Sequence, residues 1–262
     1  MEKTLKIEYH LVDHCNLNCV CCEHFSSISD EFYAEIDTLV EDFKRLSLVV
    51  GKENLNLYLL GGEPLLHPNL IEILNKVRCV FPDTESVNIR LVTNGLLLLK
   101  MPSAFWEACH RNSITLSVTK YPINLDYVAI EETSKSYGVS FEIFHVTTTA
   151  FMRMMPIDIQ GENDPSDSFE HCPIAHRCCY LKGSRLFSCP RIPNINAFNK
   201  QYGYDLTVSE NDYLELGEGV TRAEVYDFLD KHNDFCRYCN ADKLNNKVAW
   251  KVHSKAINEW VE

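Results

Sequence analysis

Apolar positions in the first half of the chain alternate between short strand-like runs and stretches of helical period. Residues 5–12 form an apolar-rich run long enough for one strand. Residues 30–49 follow, with Phe32, Ile36, Leu39, Val40, Phe43 and Leu46 three or four apart and acidic side chains in the first turns, which predicts a helix. A second strand is expected over 55–60. The next helix is expected over 68–80, with Pro68 suited to its first turn and Leu70, Ile71, Leu74 and Val77 facing inward. The alternation continues with strands at 87–92, 114–118 and 139–146 and helices at 103–111 and 125–137. Alternating strand and helix signals predict an α/β protein with a parallel sheet. Five such steps match a partial TIM-like (β/α) barrel of about six strands, the sixth not placed. In that architecture the loops at the C-terminal strand ends build the active site.

The pattern breaks at 150–170, where residues 161–168 form a polar connector. The expectation is a barrel core over 1–160 and a small cysteine-rich C-terminal domain over 161–262. Within the latter, 179–189 reads as a hairpin turning at Gly183, and 220–230 as a helix with Val225, Phe228 and Leu229 apolar.

With 262 residues, 45% of them hydrophobic, the chain has material for a sizeable core. A net charge of −12 has the wrong sign for a nucleic-acid binder, and weakly opposes an anionic membrane. No apolar run reaches eighteen residues and no signal-peptide core is present, so a soluble cytoplasmic protein is expected. Twelve cysteines in such a chain read as metal ligands rather than disulfides, because the cytosol keeps thiols reduced. Their clustering at 15–22, 172–189 and 236–239 points the same way, whereas Cys79 and Cys109 stand alone in helical patterns as small hydrophobes.

Cys15, Cys19 and Cys22 fall on the loop after the first strand, in a C-x3-C-x2-C spacing. Three thiolates hold three irons of a 4Fe–4S cluster, and without a fourth ligand nearby one iron stays open to a small molecule. Cys21 is a candidate fourth ligand, or a replacement for Cys22, though it is poorly placed for a separate corner. Downstream, the 55–60 strand leads into Gly61-Gly62-Glu63-Pro64. Cys172, Cys189, Cys236 and Cys239 bring four thiols from separated segments, a closed site that suits zinc or an iron–sulfur cluster.

These motifs resemble the radical S-adenosylmethionine (radical SAM) superfamily. The resemblance implies that the open iron chelates SAM and that one electron cleaves it to a 5′-deoxyadenosyl radical. It implies that Gly61, Gly62, Glu63 and Pro64 match the family's GGEP element, whose glycines let the backbone approach SAM and which contacts its amino group. Thr93, Asn94, Ser117 and Thr119, at the ends of strands three and four, become candidate contacts to its ribose or carboxylate. The C-terminal cysteines resemble the SPASM/twitch auxiliary domain, implying a second 4Fe–4S cluster on Cys172, Cys189, Cys236 and Cys239. Cys178 and Cys179 remain over, as replacements for Cys172, as inert thiols, or as hydrogen-atom donors in an epimerisation. Many members have an aromatic residue before the third cluster cysteine, where this chain has Cys21.

The implied function is reductive cleavage of SAM followed by oxidation or epimerisation of a carbohydrate- or cyclitol-like alcohol. The implied partners are SAM, a small-molecule substrate and an electron donor such as flavodoxin or ferredoxin. The alternatives are radical modification of a peptide or protein side chain, for which a leader-binding domain finds no room, and a non-catalytic iron–sulfur or zinc module.

Overall fold

A computed structural model describes residues 4–144, 151–175 and 179–261. In chain order the elements are β1 (Leu5–Val12), α1 (Ile36–Val50), β2 (Leu55–Gly61), α2 (Leu70–Val80), β3 (Val87–Thr93), α3 (Ser103–Arg111), β4 (Ile114–Thr119), α4 (Tyr127–Ser136) and β5 (Ser140–Phe144). There follow β6 (Phe151–Met154), α5 (Pro165–Glu170), β7 (Cys179–Lys182), β8 (Arg185–Phe187), α6 (Arg191–Tyr202), β9 (Leu214–Glu215), α7 (Arg222–Leu229) and β10 (Asn245–Ala249).

The main sheet has the order β5-β4-β3-β2-β1-β7-β8-β9. From β1 to β5 every neighbouring pair is parallel, as the alternating pattern predicts. This is an α/β sheet of partial-barrel type, with α1 to α4 packed into its main core. Along β1 the pleat separates two environments. Leu5, Ile7, Tyr9 and Leu11 join the main core, with Leu39, Phe43 and Leu46 of α1 and Leu70, Ile73, Leu74 and Val77 of α2. On the other face Lys6 and Glu8 line the inner cavity.

Helix α1 is shorter than the 30–49 pattern suggests. The preceding segment runs extended beside the end of β1, with a Val12–Tyr33 bridge and Ala34 N donating to the Leu11 carbonyl at 2.9 Å. At the other edge of β1, β7 adds in parallel through Ile7–Cys179 and Glu8–Tyr180. The main sheet therefore crosses residue 160, the boundary expected between core and cysteine-rich domain.

Asp42 of α1 fixes that junction. Its buried carboxylate accepts from Tyr9 Oη (3.0 Å), Gly183 N (3.0 Å), Ser184 N (2.5 Å) and Ser184 Oγ (3.0 Å), which ties the hairpin turn to the barrel. A second core holds Phe25, Tyr180, Phe187, Ile192, Ile195, Phe198, Phe235, Tyr238 and Trp260, so residues near both ends of the chain pack together. Strands β6 and β10 form a separate antiparallel pair. Among the described residues no helix is long and apolar enough to cross a membrane.

Candidate active site

The chain leaves β1 at Val12 and enters the cysteine loop. Asn18 and Cys21 adopt positive φ (51° and 53°), which bends the loop back on itself. Cys15, Cys19 and Cys22 line one cavity of about 420 Å3, together with Gly61 and Gly62 after β2, Thr93 and Asn94 after β3, and Thr119 after β4. That volume lies in the range that holds small ligands, roughly 300–1,000 Å3. The rest of the wall is mixed, with Lys6, Glu8, Glu23, His24, Tyr121 and Arg153 polar or charged and Leu17, Leu60, Val92, Ile174 and Pro190 apolar.

The last described segment closes over this loop. Val20 N donates to the Lys251 carbonyl (3.0 Å), His253 N to the Asn18 carbonyl (2.7 Å), and Cys19 bridges Val252. Trp250 Nε1 donates to Cys19 Sγ at 3.2 Å. Cys21 is turned out of the trio, 2% exposed, with its thiol on the Glu259 carbonyl at 3.1 Å.

The Gly61-Gly62-Glu63-Pro64 turn braces the site from behind. A Cβ on Gly61 would sit 2.1 Å from the Val12 carbonyl oxygen, and one on Gly62 would sit 1.9 Å from that of His14. Only glycine allows this contact, through which Gly62 N reaches the Val12 carbonyl (2.7 Å) and Glu63 N that of His14 (3.1 Å). Glu63 is fully buried rather than facing the cavity. Its carboxylate accepts from Thr93 Oγ1 (2.6 Å), Asn94 N (2.9 Å) and Leu65 N (3.0 Å). Burial raises its pKa to about 7 against these three opposing bonds. Pro64 is buried and opens a short 3-10 turn. Asn94, held by Glu63, extends Nδ2 to Asn16 Oδ1 at 2.7 Å and lies 3.8 Å from Cys15 Sγ. Ser117 faces away, bonded to Glu142 Oε1 at 2.5 Å, so of the two β4 candidates only Thr119 lines the cavity.

Three histidines flank the loop as hydrogen-bonding neighbours. His10 Nδ1 meets Asp13 Oδ1 (2.9 Å), His10 Nε2 meets His24 Nδ1 (2.7 Å), and His14 Nδ1 accepts from Phe32 N (3.4 Å).

The structure brings Cys172, Cys189, Cys236 and Cys239 into one electrostatic group. Cys189 feels Cys239 and Cys172, and Cys236 feels the same two. Cys179 lies elsewhere, 2% exposed in the main core with its thiol on the Lys6 carbonyl (3.0 Å). Cys178 lies outside the described residues.

The donor sets, three thiols and four, are of a kind that suits iron–sulfur clusters. Around one zinc, bonds of about 2.3 Å put sulfurs about 3.8 Å apart. Among the described residues no three thiols lie within 4.8 Å of one another; the group that does is the exposed Asp167, His171 and Asp242. Burial pushes Cys15 up to about 11, and Cys19 and Cys236 up to about 12, so taking up iron releases protons. Beside the second set lies a buried cation, Arg191, whose Nε and Nη1 meet no oxygen acceptor and whose side chain reaches the Cys239 thiol.

Sequence reasoning did not find Trp250, Tyr121, Glu23, Arg153 or Arg191. Their signal is spatial, because none belongs to a spacing motif. Arg153 pairs with Glu23 at 3.2 and 3.4 Å across the cavity wall, from a strand 130 residues away.

No family model matches the chain. A GTP 3′,8-cyclase of Trichodesmium erythraeum is 35% identical over 104 residues, 37% of this chain and 30% of that protein. A probable GTP 3′,8-cyclase of Pyrococcus abyssi is 22% identical over 223 residues, 82% of this chain and 67% of that protein. In the first of these the chain matches less than a third of the relative's length. The crystal structure of BtrN in complex with AdoMet and 2-DOIA superposes with a TM-score of 0.52 at 16% identity, covering 92% of this chain and 94% of that one. The superposition extends through the cysteine-rich third, not the barrel alone, and shows a shared fold.

Proposed function

We propose that the chain is a radical SAM enzyme that cleaves SAM reductively and uses the resulting radical to oxidise or epimerise a carbohydrate- or cyclitol-like alcohol. The observation that carries this reading is the convergence of Cys15, Cys19 and Cys22 on a small cavity walled by the ends of β2, β3 and β4. When bound, a 4Fe–4S cluster with an open iron supplies the electron that breaks SAM and generates 5′-deoxyadenosyl radical.

The chain's own residues bind, orient and enclose. Glu63 holds Thr93 and Asn94 at the cavity mouth, and Asn94 in turn steadies the Cys15–Asn16 end of the loop. Trp250 donates to Cys19 and its ring lies 6.2 Å from that of Tyr121 in the cavity wall, which shields the metal side as radical chemistry requires. Glu23, His24 and Arg153 offer hydrogen bonds to a polar substrate in the same wall. Likeness over nearly the full length to a protein solved with AdoMet and 2-DOIA supports the alcohol substrate and an auxiliary cluster on Cys172, Cys189, Cys236 and Cys239.

A second reading, cyclisation of a purine nucleotide, draws on the names of the relatives and on two cations, Lys6 and Arg153, in the cavity. Anaerobically reconstituted, reduced protein is expected to convert SAM to 5′-deoxyadenosine. Deuterated cyclitols and deuterated GTP, offered separately, distinguish the two readings by which deuterium enters 5′-deoxyadenosine. Absence of SAM cleavage by protein with a full iron complement refutes both.

A further inference from the structure

Arg191 opens α6 two residues beyond Cys189, and it is 3% exposed. One nitrogen, Nη2, donates to the Met155 carbonyl at 2.8 Å. The other two are buried and met by no oxygen acceptor, while the Cys239 thiol lies within the side chain's hydrogen-bonding reach. A buried guanidinium left this way is costly unless a negative charge stands close to it. Burial works against the charge, and the groups that favour it are Cys239, Glu23, Cys189 and Cys172. Glu23 shares its charge with Arg153; the other three are thiols of the second set.

We propose that Arg191 tunes the auxiliary centre, raising its reduction potential so that it takes the electron left on the substrate. The inference rests on the auxiliary-cluster reading above and deepens it. In the step concerned, the alcohol carbon has already lost a hydrogen atom to the 5′-deoxyadenosyl radical. A cluster held by Cys172, Cys189, Cys236 and Cys239 would supply the acceptor for that carbon's unpaired electron, the hydroxyl proton leaving to solvent as the carbonyl forms. It would gain one negative charge, which a fixed buried cation makes easier to hold. Arg191 touches neither substrate nor SAM in this scheme; it acts through the cluster.

The test uses the full chain with Cys15, Cys19 and Cys22 changed to Ala, so that only the auxiliary centre assembles. Iron content is measured, and the reduction potential is read by EPR-monitored titration. With Arg191→Met, iron is expected to stay and the equilibrium constant for reduction to fall at least tenfold, 59 mV more negative for a one-electron couple. Arg191→Lys keeps the charge and is expected to recover at least half of that shift. A smaller shift in Arg191→Met with iron retained overturns the inference. If Arg191→Met loses its iron, Arg191→Lys decides: iron retained within 59 mV of the parent supports the charge role, and any other result assigns Arg191 to bracing Met155 alone. A parent that binds zinc and no iron overturns the inference and the auxiliary-cluster reading together, while SAM cleavage by the unaltered chain reports separately on the rest of the proposed function.

Discussion

Replacing Glu63 with glutamine tests whether the GGEP turn works as a buried brace. In the native protein the carboxyl holds its proton up to about pH 7, whereas the ordinary value is 4.5. Between these limits the native state binds more protons than the unfolded one, so Glu63 costs stability as pH rises through the window. The displacement corresponds to about 3 kcal/mol, fully expressed above pH 7 and absent below 4.5. Glu63→Gln abolishes this dependence and instead carries a constant cost of about 1–3 kcal/mol, since one of three buried donors loses its acceptor. His24 opposes the trend: burial lowers it to about 4, which adds stability as pH rises toward 6.5. Both proteins share His24, so it cancels in the difference. The assay is urea unfolding by tryptophan fluorescence, anaerobic with reductant and chelator, at pH 5.0, 6.0, 7.0 and 7.5. The variant is expected to gain about 2–3 kcal/mol on the native protein across that series. A difference constant to within about 0.5 kcal/mol would show that the carboxyl ionises normally and refute the reasoning.

Further predictions concern the hairpin anchor, the metal sites and the aromatic cover. Asp42→Ala strands the Gly183 and Ser184 amides and Tyr9 Oη, and is expected to cost about 2–4 kcal/mol in denaturant unfolding, with Asp42→Asn costing less. Cys189→Ser or Cys239→Ser is expected to lower iron from about eight to about four per chain, whereas Cys179→Ser leaves it unchanged because that thiol lies in the core. Trp250→Phe removes a donor from Cys19 and is expected to keep the iron while making the potential of the first cluster more negative. Iron analysis and potentiometry read these outcomes directly.

The barrel was legible because each strand alternates or runs apolar and each helix has a clear stripe; within the described residues the predicted strands differ from the observed ones at their ends only, and 145–146 of the expected fifth strand lie outside them. Helix α6 was not, because buried positions in Arg191–Tyr202 include Arg191 and Asn194, whose polarity hides the stripe. The pairing of β7 with β1 joins residues more than 170 apart, and nothing in either run selects the other. The cysteine spacings marked the candidate ligands, since chelation needs particular atoms at particular intervals. The supporting groups act through contacts set only by the folded chain. Glu63 belonged to a visible motif, yet its inward orientation follows from the Gly61–Gly62 packing on Val12 and His14, which the sequence does not display.

The seal that residues 250–253 and 259 make over residues 18–21 has a consequence for biogenesis. Translation proceeds at roughly 5–20 residues per second, so the cysteine loop leaves the ribosome long before the segment that covers it. During that interval Cys19 and Cys21 lack their later partners and stand open to oxidants and to iron-delivery factors alike. Delivery of metal to an uncovered loop therefore belongs to the interval before Trp250 and the Glu259 carbonyl are made, because their arrival covers Cys19 and Cys21.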